Sequence, residues 1–196
     1  RELSPGLTVQ FDRENIVEAV LYGYAKPAGA LIISSMWATN TKIAPREYDP
    51  DAAEKLLDAA GWTRSGDGVR SKGGKPLRFA LVTNAGNDVR KKICEFVQSS
   101  LKDIGVEVDL RLQDFNQMSQ QLKKHDFDAY VGGMSVATKV DNKPIFHSKG
   151  AEGGFRGQLD YVLVRVAPEL DHVGADYCYV SHSILLLWPL AGLSWY

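Results

Sequence analysis

The stretch LRFALVTNAGNDVRKKICEFVQSSLKDIGVEVDLRL, residues 77–112, decides the fold class. It opens with an apolar run at 77–83, which is typical of a buried strand, and passes through the turn-forming residues 84–87. Apolar residues then recur at helical spacing as far as Asp103, before apolar and polar residues alternate at 106–112. A strand, a helix and a second strand in this order predict parallel strands joined by a crossover helix.

The alternation of strand and helix continues along the chain. A helix is expected over 114–124, where Phe115, Met118 and Leu122 share one face, and a third strand over 127–134. The pattern therefore predicts an α/β fold with a parallel core. The buried side of the first crossover helix is expected to comprise Val89, Ile93, Phe96, Val97, Leu101 and Ile104.

The carboxyl ends of the predicted strands are where a ligand is expected, since ligands of parallel sheets gather there. Asn84, Asn87 and Met134 lie at these ends, and we predict that they line the ligand. Arg90 follows Asn87 at the helix start, where its guanidinium either reaches a carboxylate at the strand end or makes an i,i+4 contact along the helix. Trp37, in a loop among polar neighbours, either stacks on a ligand or plugs the loop.

Two helices are predicted before this unit. Asp12 caps the first, which stops at Gly23. Asp49 caps the second, Pro50 occupies its first position, and Gly61 ends it. The apolar face of this second helix is expected to comprise Ala53, Leu56, Leu57 and Ala60.

The remaining segments carry weaker signals. Residues 25–46 contain several turn-forming residues and are interpreted as a connecting segment. Two glycine turns bracket residues 69–72, which predicts a small hairpin. Toward the end of the chain, short helices are expected within 159–170 and 175–187.

Composition excludes several classes of protein. The chain has 196 residues, of which 44% are hydrophobic, and 23 Lys and Arg against 24 Asp and Glu leave a net charge of -1. A nucleic-acid-binding protein usually carries a basic excess, so we expect no nucleic-acid partner. No apolar run reaches the length that a membrane-spanning helix needs. The chain opens without Met and finishes on LLLWPLAGLSWY, and we interpret both ends as cuts from a longer chain.

Residues with catalytic or metal-binding chemistry form no recognisable constellation. Neither His125 nor His147, the histidines that a hydrolase would use, belongs to a catalytic or zinc-binding motif. Asp126 and Asp128 flank Phe127 at the amino end of a strand, and we favour a turn over acid–base work. We expect no metal and no cofactor.

The two cysteines leave the redox compartment open. Cys94 and Cys178 lie far apart and outside any CxxC motif. They are either two small buried hydrophobic residues, which we favour, or a pair that the fold brings together.

Several stretches, taken together, resemble one protein family. These are DRENIV at 12–17, YDPDAAEKLLDAAGW at 48–62, GDGVR at 66–70, IGVEV at 104–108 and DFDA at 126–129. In this order they resemble the family-5 extracellular solute-binding proteins of bacterial ABC transporters, which bind dipeptides, oligopeptides and nickel. The resemblance covers roughly residues 6 to 148.

The resemblance implies a fold of the type II periplasmic-binding-protein class, a mixed sheet with helices on both faces. The chain resembles one lobe, the carboxyl-terminal one, of a two-lobed protein that closes on its ligand. Residues 1–47 would be its entry helix and connecting loop, 48–148 the family core, and 149–196 a tail leading to the lobe crossover.

The resemblance also implies a function and further site residues. It implies a binding protein rather than an enzyme: a monomer, periplasmic or held at the cell surface as a lipoprotein, with a peptide or small solute as ligand and a membrane permease as partner. Met134 occupies a position where the family often has Trp, and Asp141 matches an acidic residue that meets the ammonium group of a peptide. A sensor or interaction module of the same fold, without transport, is the alternative.

Overall fold

A three-stranded parallel sheet forms the centre of the protein. The computed structural model describes residues 10–28, 40, 42–44, 47–66, 68–124, 126–133, 163–166 and 178–179. Strands β5 (Arg78–Asn84), β6 (Glu107–Gln113) and β7 (Ala129–Tyr130) lie in the order β6-β5-β7. Both neighbours of β5 run parallel to it, with Leu81 beside Leu110 on one side and Ala129 on the other. The predicted parallel core is therefore confirmed.

One helix covers each face of this sheet. Helix α3 (Asp88–Asp103) packs its buried residues against Phe79 and Leu81 of the central strand. Helix α4 (Phe115–Lys123) packs on Val82, which points to the opposite face because side chains alternate along a strand. The α/β class with helices on both faces is thus confirmed.

Two amino-terminal helices begin at the predicted caps. In α1 (Arg13–Leu21), an oxygen of Asp12 accepts a hydrogen bond of 2.9 Å from the backbone N–H of Asn15. In α2 (Pro50–Ala59), Asp49 caps the helix in the same way. The predicted apolar face of α2 is too wide, because Leu56 is exposed while Ala53 and Leu57 are buried. Residues four positions apart share a helix face, whereas Leu56 lies about 100° around the helix from Leu57.

A small antiparallel sheet joins α2 to the core. Its strands are β2 (Thr63–Arg64), β3 (Arg70–Lys72) and β4 (Lys75–Pro76), so the predicted hairpin is confirmed and β2 extends it. Arg70 is 1% exposed and donates hydrogen bonds of 2.7 Å to the backbone oxygens of Trp62 and Ile104. Its guanidinium also forms ion pairs with Asp58 and Glu54 of α2.

A second, antiparallel sheet contains segments for which the sequence predicted other structure. It comprises β1 (Ala25–Ala28), β9 (Leu163–Val166), β10 (Cys178–Tyr179) and β8 (Gly132–Gly133), in the order β1-β9-β10-β8. Strand β1 lies in the predicted connecting segment. The helix predictions over 159–170 and 175–187 are wrong at β9 and β10. Strand β9 pairs with β1 and β10 pairs with β8, both far earlier in the chain, and local periodicity does not reveal such pairing.

The predicted strand 127–134 is divided between the two sheets. Strand β7 pairs with the parallel sheet, whereas β8, two residues later, pairs with β10. Val131 is fully buried at the point of transfer.

The described residues also bear on membrane-spanning helices and on the two cysteines. No helix there has both the length and the apolar character that a membrane crossing requires. Cys94 is a residue of α3 and is buried in the core. The side chain of Cys178 lies outside the described part of the chain.

Candidate functional site

The carboxyl edge of the parallel sheet contains a topological switch point. The chain leaves β5 through α3 to reach β6 on one side, and then returns through α4 to β7 on the other side. Loops that diverge in this way leave a crevice beyond the carboxyl ends of the strands. Asn84 ends β5 beside Gln113, which ends β6. This crevice is the candidate site.

A capped helix start places a cation in the crevice. The side-chain oxygen of Asn87 accepts a 2.9 Å hydrogen bond from the backbone N–H of Arg90, which fixes the first turn of α3. From this turn, Nη1 of Arg90 donates a 2.7 Å hydrogen bond to the side-chain oxygen of Asn84. Neither alternative for Arg90 is realised in full. The side chain turns to the strand end, as the first alternative required, but its acceptor there is an amide oxygen rather than a carboxylate.

Two buried side-chain atoms at this edge have no hydrogen-bond partner among the described residues. Arg90 is 9% exposed, and within the described residues no carboxylate lies within ion-pair distance of its guanidinium and Nε has no acceptor. Oε1 of Gln113 is likewise buried without a donor. Burying a charge without a compensating partner is costly, so the edge favours an anionic group. The positive end of the α3 dipole adds to this preference, although the exposed carboxylate of Asp88 in the same turn opposes it.

The exit of the third strand is held tightly against β5. Thr83 is buried, and its hydroxyl donates a 2.9 Å hydrogen bond to the backbone oxygen of Val131. The N–H of Val131 donates to the oxygen of Val82 at the same distance, 2.9 Å. A side chain on Gly132 would meet the ring of Tyr130 at 2.8 Å, so only glycine fits there unless the ring moves. These contacts fix the chain as it leaves the sheet beside Asn84.

Tyr130 is held in an apolar setting. Its ring meets Phe127 edge to face, with centroids 5.4 Å apart and an angle of 89° between the planes. Burial disfavours the charged phenolate and raises the pKa of Tyr130 from 10.0 to about 12.

We expect stability to fall in alkaline solution because of Tyr130. The unfolded state releases the phenol proton near pH 10.0, whereas the folded state retains it until about pH 12. The contribution of Tyr130 to the free energy of unfolding is therefore complete below pH 10.0. It is lost as the pH rises toward about 12, at up to about 1.4 kcal/mol per pH unit. Denaturant unfolding over this range should show a smaller decline for Tyr130→Phe. Equal declines in the two proteins would contradict the assignment.

Three apolar side chains around the crevice are exposed. Val89 is 37% exposed, Leu112 41% and Phe115 60%. The prediction that Val89 belongs to the buried side of its helix is therefore wrong, and Phe115 is exposed although it shares a helix face with the buried Met118 and Leu122. Both residues lie in the first turn of their helix, which projects past the end of the sheet. The sheet covers only the later turns of each helix.

Asp128, the second acidic residue before β7, serves the structure at the other end of the sheet. Oδ2 of Asp128 accepts a 2.9 Å hydrogen bond from the backbone N–H of Ala80. Ala80 lies four residues before Asn84 in β5, which places this bond about 13 Å from the candidate site. The structural interpretation of Asp128 is supported by this contact.

The structure brings together some of the residues that the sequence suggested. Asn84 and Asn87 both contact Arg90, Asn84 through the side chain and Asn87 through the backbone N–H. Gln113 lies at one of the predicted strand ends but was not among the residues expected to line the ligand. Thr83 was missed, although a polar residue near the end of an apolar strand is a usable signal. The other suggested residues lie outside the described part of the chain: Trp37, Met134, Asp141, His125 and His147. Within the described residues, no group of three or more His, Cys, Asp or Glu is arranged to hold a metal ion.

Comparisons with known proteins agree on one group of relatives. The family described as "Bacterial extracellular solute-binding proteins, family 5 Middle" matches residues 6–154. The oligopeptide-binding protein AppA of Bacillus subtilis is 36% identical over 181 residues, which are 90% of this chain and 32% of that protein. The nickel-binding periplasmic protein of Escherichia coli is 32% identical over 105 residues, which are 53% of this chain and 20% of that protein.

Solved structures show the same relationship. AppA in complex with a nonapeptide has a TM-score of 0.73 at 34% identity, over 80% of this chain and 33% of that one. NikA of Brucella suis in complex with Fe(III)-EDTA has a TM-score of 0.62 at 28% identity, over 66% of this chain and 26% of that one. The chain thus spans about a third of the length of its oligopeptide-binding relative.

Proposed function

Because the chain belongs to the bacterial extracellular solute-binding proteins of family 5, we propose that it is the ligand-binding lobe of the substrate-binding subunit of an ABC-type importer. The ligand lies between this lobe and a second one, which closes over it. The observation that carries the proposal is the nearly buried guanidinium of Arg90 at the switch point, held by Asn84 and facing no carboxylate among the described residues.

The solute is a peptide or a related small molecule with an anionic group. Arg90 binds the anionic group, while Asn84 holds the guanidinium in place and Asn87 fixes the helix turn that carries it. Oε1 of Gln113 accepts a hydrogen bond from an N–H group of the solute, since no described residue donates to it. A peptide carries both groups. The relative whose name states oligopeptide binding is consistent with this class of solute.

Further parts of the proposal rest on the family resemblance. Trp37, Met134 and Asp141 contribute to the ligand site from outside the described residues. The protein acts outside the cytoplasm, in the periplasm or as a lipoprotein at the cell surface. It works as a monomer that delivers its solute to a membrane permease, and it has no catalytic activity.

Replacing Arg90 with glutamine should abolish the preference for an anionic solute. We expect the tripeptide Ala-Ala-Ala to bind at least tenfold more tightly than its carboxyl-terminal amide, because a hydrogen bond to a charged group contributes about 1.5–3 kcal/mol. Arg90→Gln should bind both peptides equally weakly. The measurement is a titration followed by the NMR shifts of the backbone amides near Asn84.

The matched control is Arg111→Gln, which removes the same charge from an exposed arginine of β6 that pairs with Asp109. It should keep the preference for the free carboxylate. Unchanged discrimination in Arg90→Gln would overturn the assignment. A single lobe supplies only half of the contacts, so a Kd below about 1 μM for the 196-residue chain alone would contradict the two-lobe proposal.

A further inference from the structure

The apolar layer between α3 and the sheet is open at the edge that carries Arg90. Ile93, Val97 and Leu101 of α3 are fully buried, and Val89 continues their stripe four residues earlier with 37% exposure. Along β6, Val108 and Leu110 contribute to the same core, and the period of two places Leu112 next in their row. Val89 and Leu112 therefore end the same layer.

The apolar layer on the other face of the sheet is open at the same edge. Met118 and Leu122 of α4 are buried against Val82. Phe115 precedes them on the same helical stripe but is 60% exposed. The ring of Phe115 therefore lies at the exposed end of the apolar layer that Met118 and Leu122 complete.

The opposite end of the sheet is closed. Leu77 precedes β5 and Val106 precedes β6, and each is 1% exposed, as is Ile104 at the end of α3. Among the described residues of the layer under α3, exposure of large apolar side chains is therefore confined to the edge with the guanidinium. An exposed apolar group that surrounds a polar centre is typical of a binding surface.

We propose that Val89, Leu112 and Phe115 bind the apolar part of an anionic solute whose charged group meets Arg90, which makes the preferred solute an amphiphilic carboxylate. This inference rests on the proposed function. Within a peptide, the apolar part is a large hydrophobic side chain close to the carboxylate. Polar residues at that position are disfavoured, because they leave the three side chains in contact with water.

Charge favours such a solute over a second copy of the chain as the occupant of this edge. If two copies of the chain paired through this edge, the Arg90 side chains of both copies would lie in the same interface. Two guanidinium groups repel each other, whereas a carboxylate compensates the one that is present. The solute supplies the missing charge and covers the apolar rim with the same molecule.

A series of simple carboxylates tests the inference on the 196-residue chain. Acetate, butanoate and hexanoate share the charged group and differ in apolar length. We expect affinity to rise by up to about fourfold for each added methylene, as for apolar groups removed from water. NMR titration of the amides at Arg90 and at Phe115 measures the affinity and reports where each acid binds.

Substitutions at the rim should remove this dependence on length. Val89→Ser and Phe115→Ser replace exposed side chains, so the fold is retained. Each variant should bind acetate as the original chain does and hexanoate several-fold more weakly. Leu56→Ser, an exposed leucine of α2 outside the sheet, is the matched control and should leave the whole series unchanged.

The outcomes separate this inference from the function on which it rests. Equal affinity for acetate and hexanoate, with both bound at Arg90, overturns the apolar subsite and leaves the anion site in place. No perturbation at Arg90 by any of the acids overturns the proposed anion site as well. A concentration-dependent dimer that Phe115→Ser abolishes shows that a second copy occupies the rim, and this result also overturns the inference.

Discussion

Replacing Arg70 with methionine is expected to lower the free energy of unfolding by about 2–5 kcal/mol, because two backbone oxygens lose their hydrogen-bond donor. Methionine keeps an apolar stem of similar length but removes the guanidinium. The backbone oxygens of Trp62 and Ile104 then lose their donor in a protein interior from which water is excluded. The acidic side of α2 also loses the cation that joins it to the small sheet. Denaturant unfolding followed by circular dichroism measures the change.

Arg64 is the matched control for Arg70. It forms an ion pair of 2.5 Å with Glu54, the same residue that Arg70 contacts, but its side chain is 40% exposed. Exposed ion pairs contribute between nothing and about 1 kcal/mol, so Arg64→Met should change stability little. If the two substitutions have the same effect, the burial of Arg70 is not the reason for its importance.

Replacing Gly105 with alanine is expected to destabilise the fold by about 3–4 kcal/mol. Gly105 has a φ of +79°, a conformation that side chains disfavour. A Cβ atom there would also lie 2.7 Å from the backbone oxygen of Gly68 and 3.1 Å from Cγ of Arg70. Backbone on one side and a fully buried side chain on the other leave no room for the methyl group.

Gly74 separates the two causes of this effect. Its φ of +76° is almost the same, but a Cβ atom there meets nothing within 4 Å. Gly74→Ala should therefore report the conformational cost alone, about 1–2 kcal/mol, and the difference between the variants measures the close approach at Gly105. Equal losses in the two variants would refute the steric account. Both changes are measured by denaturant unfolding.

The sequence predicted most accurately where the interactions that form an element are local. Asp12, Asp49 and Asn87 each cap a helix within three residues of their own position, so their role is visible in a short window. The strands at 78–84 and 107–113 follow from the periodicity of their own side chains. The ordered motifs also sufficed to indicate the family.

The predictions failed where a distant partner decides the structure. Strand β9 pairs along its whole length, Leu163–Val166, with Ala25–Ala28 near the start of the chain. Local periodicity carries no information about a partner more than 100 residues away. The exposure of Phe115 and Val89 likewise depends on where the sheet ends, which a helical pattern does not contain.

The sequence by itself determined the α/β class, the positions of the capped helices, the parallel core and the family. It also indicated Asn84 and Asn87 as residues of the strand ends. Only the tertiary structure decided that Asn84 holds the guanidinium of Arg90, that Gln113 lies beside it, and that both apolar layers open at the same edge. The physical reason is that caps and periodicity act over a few residues, whereas a site arises where separate strands and helices end together in space.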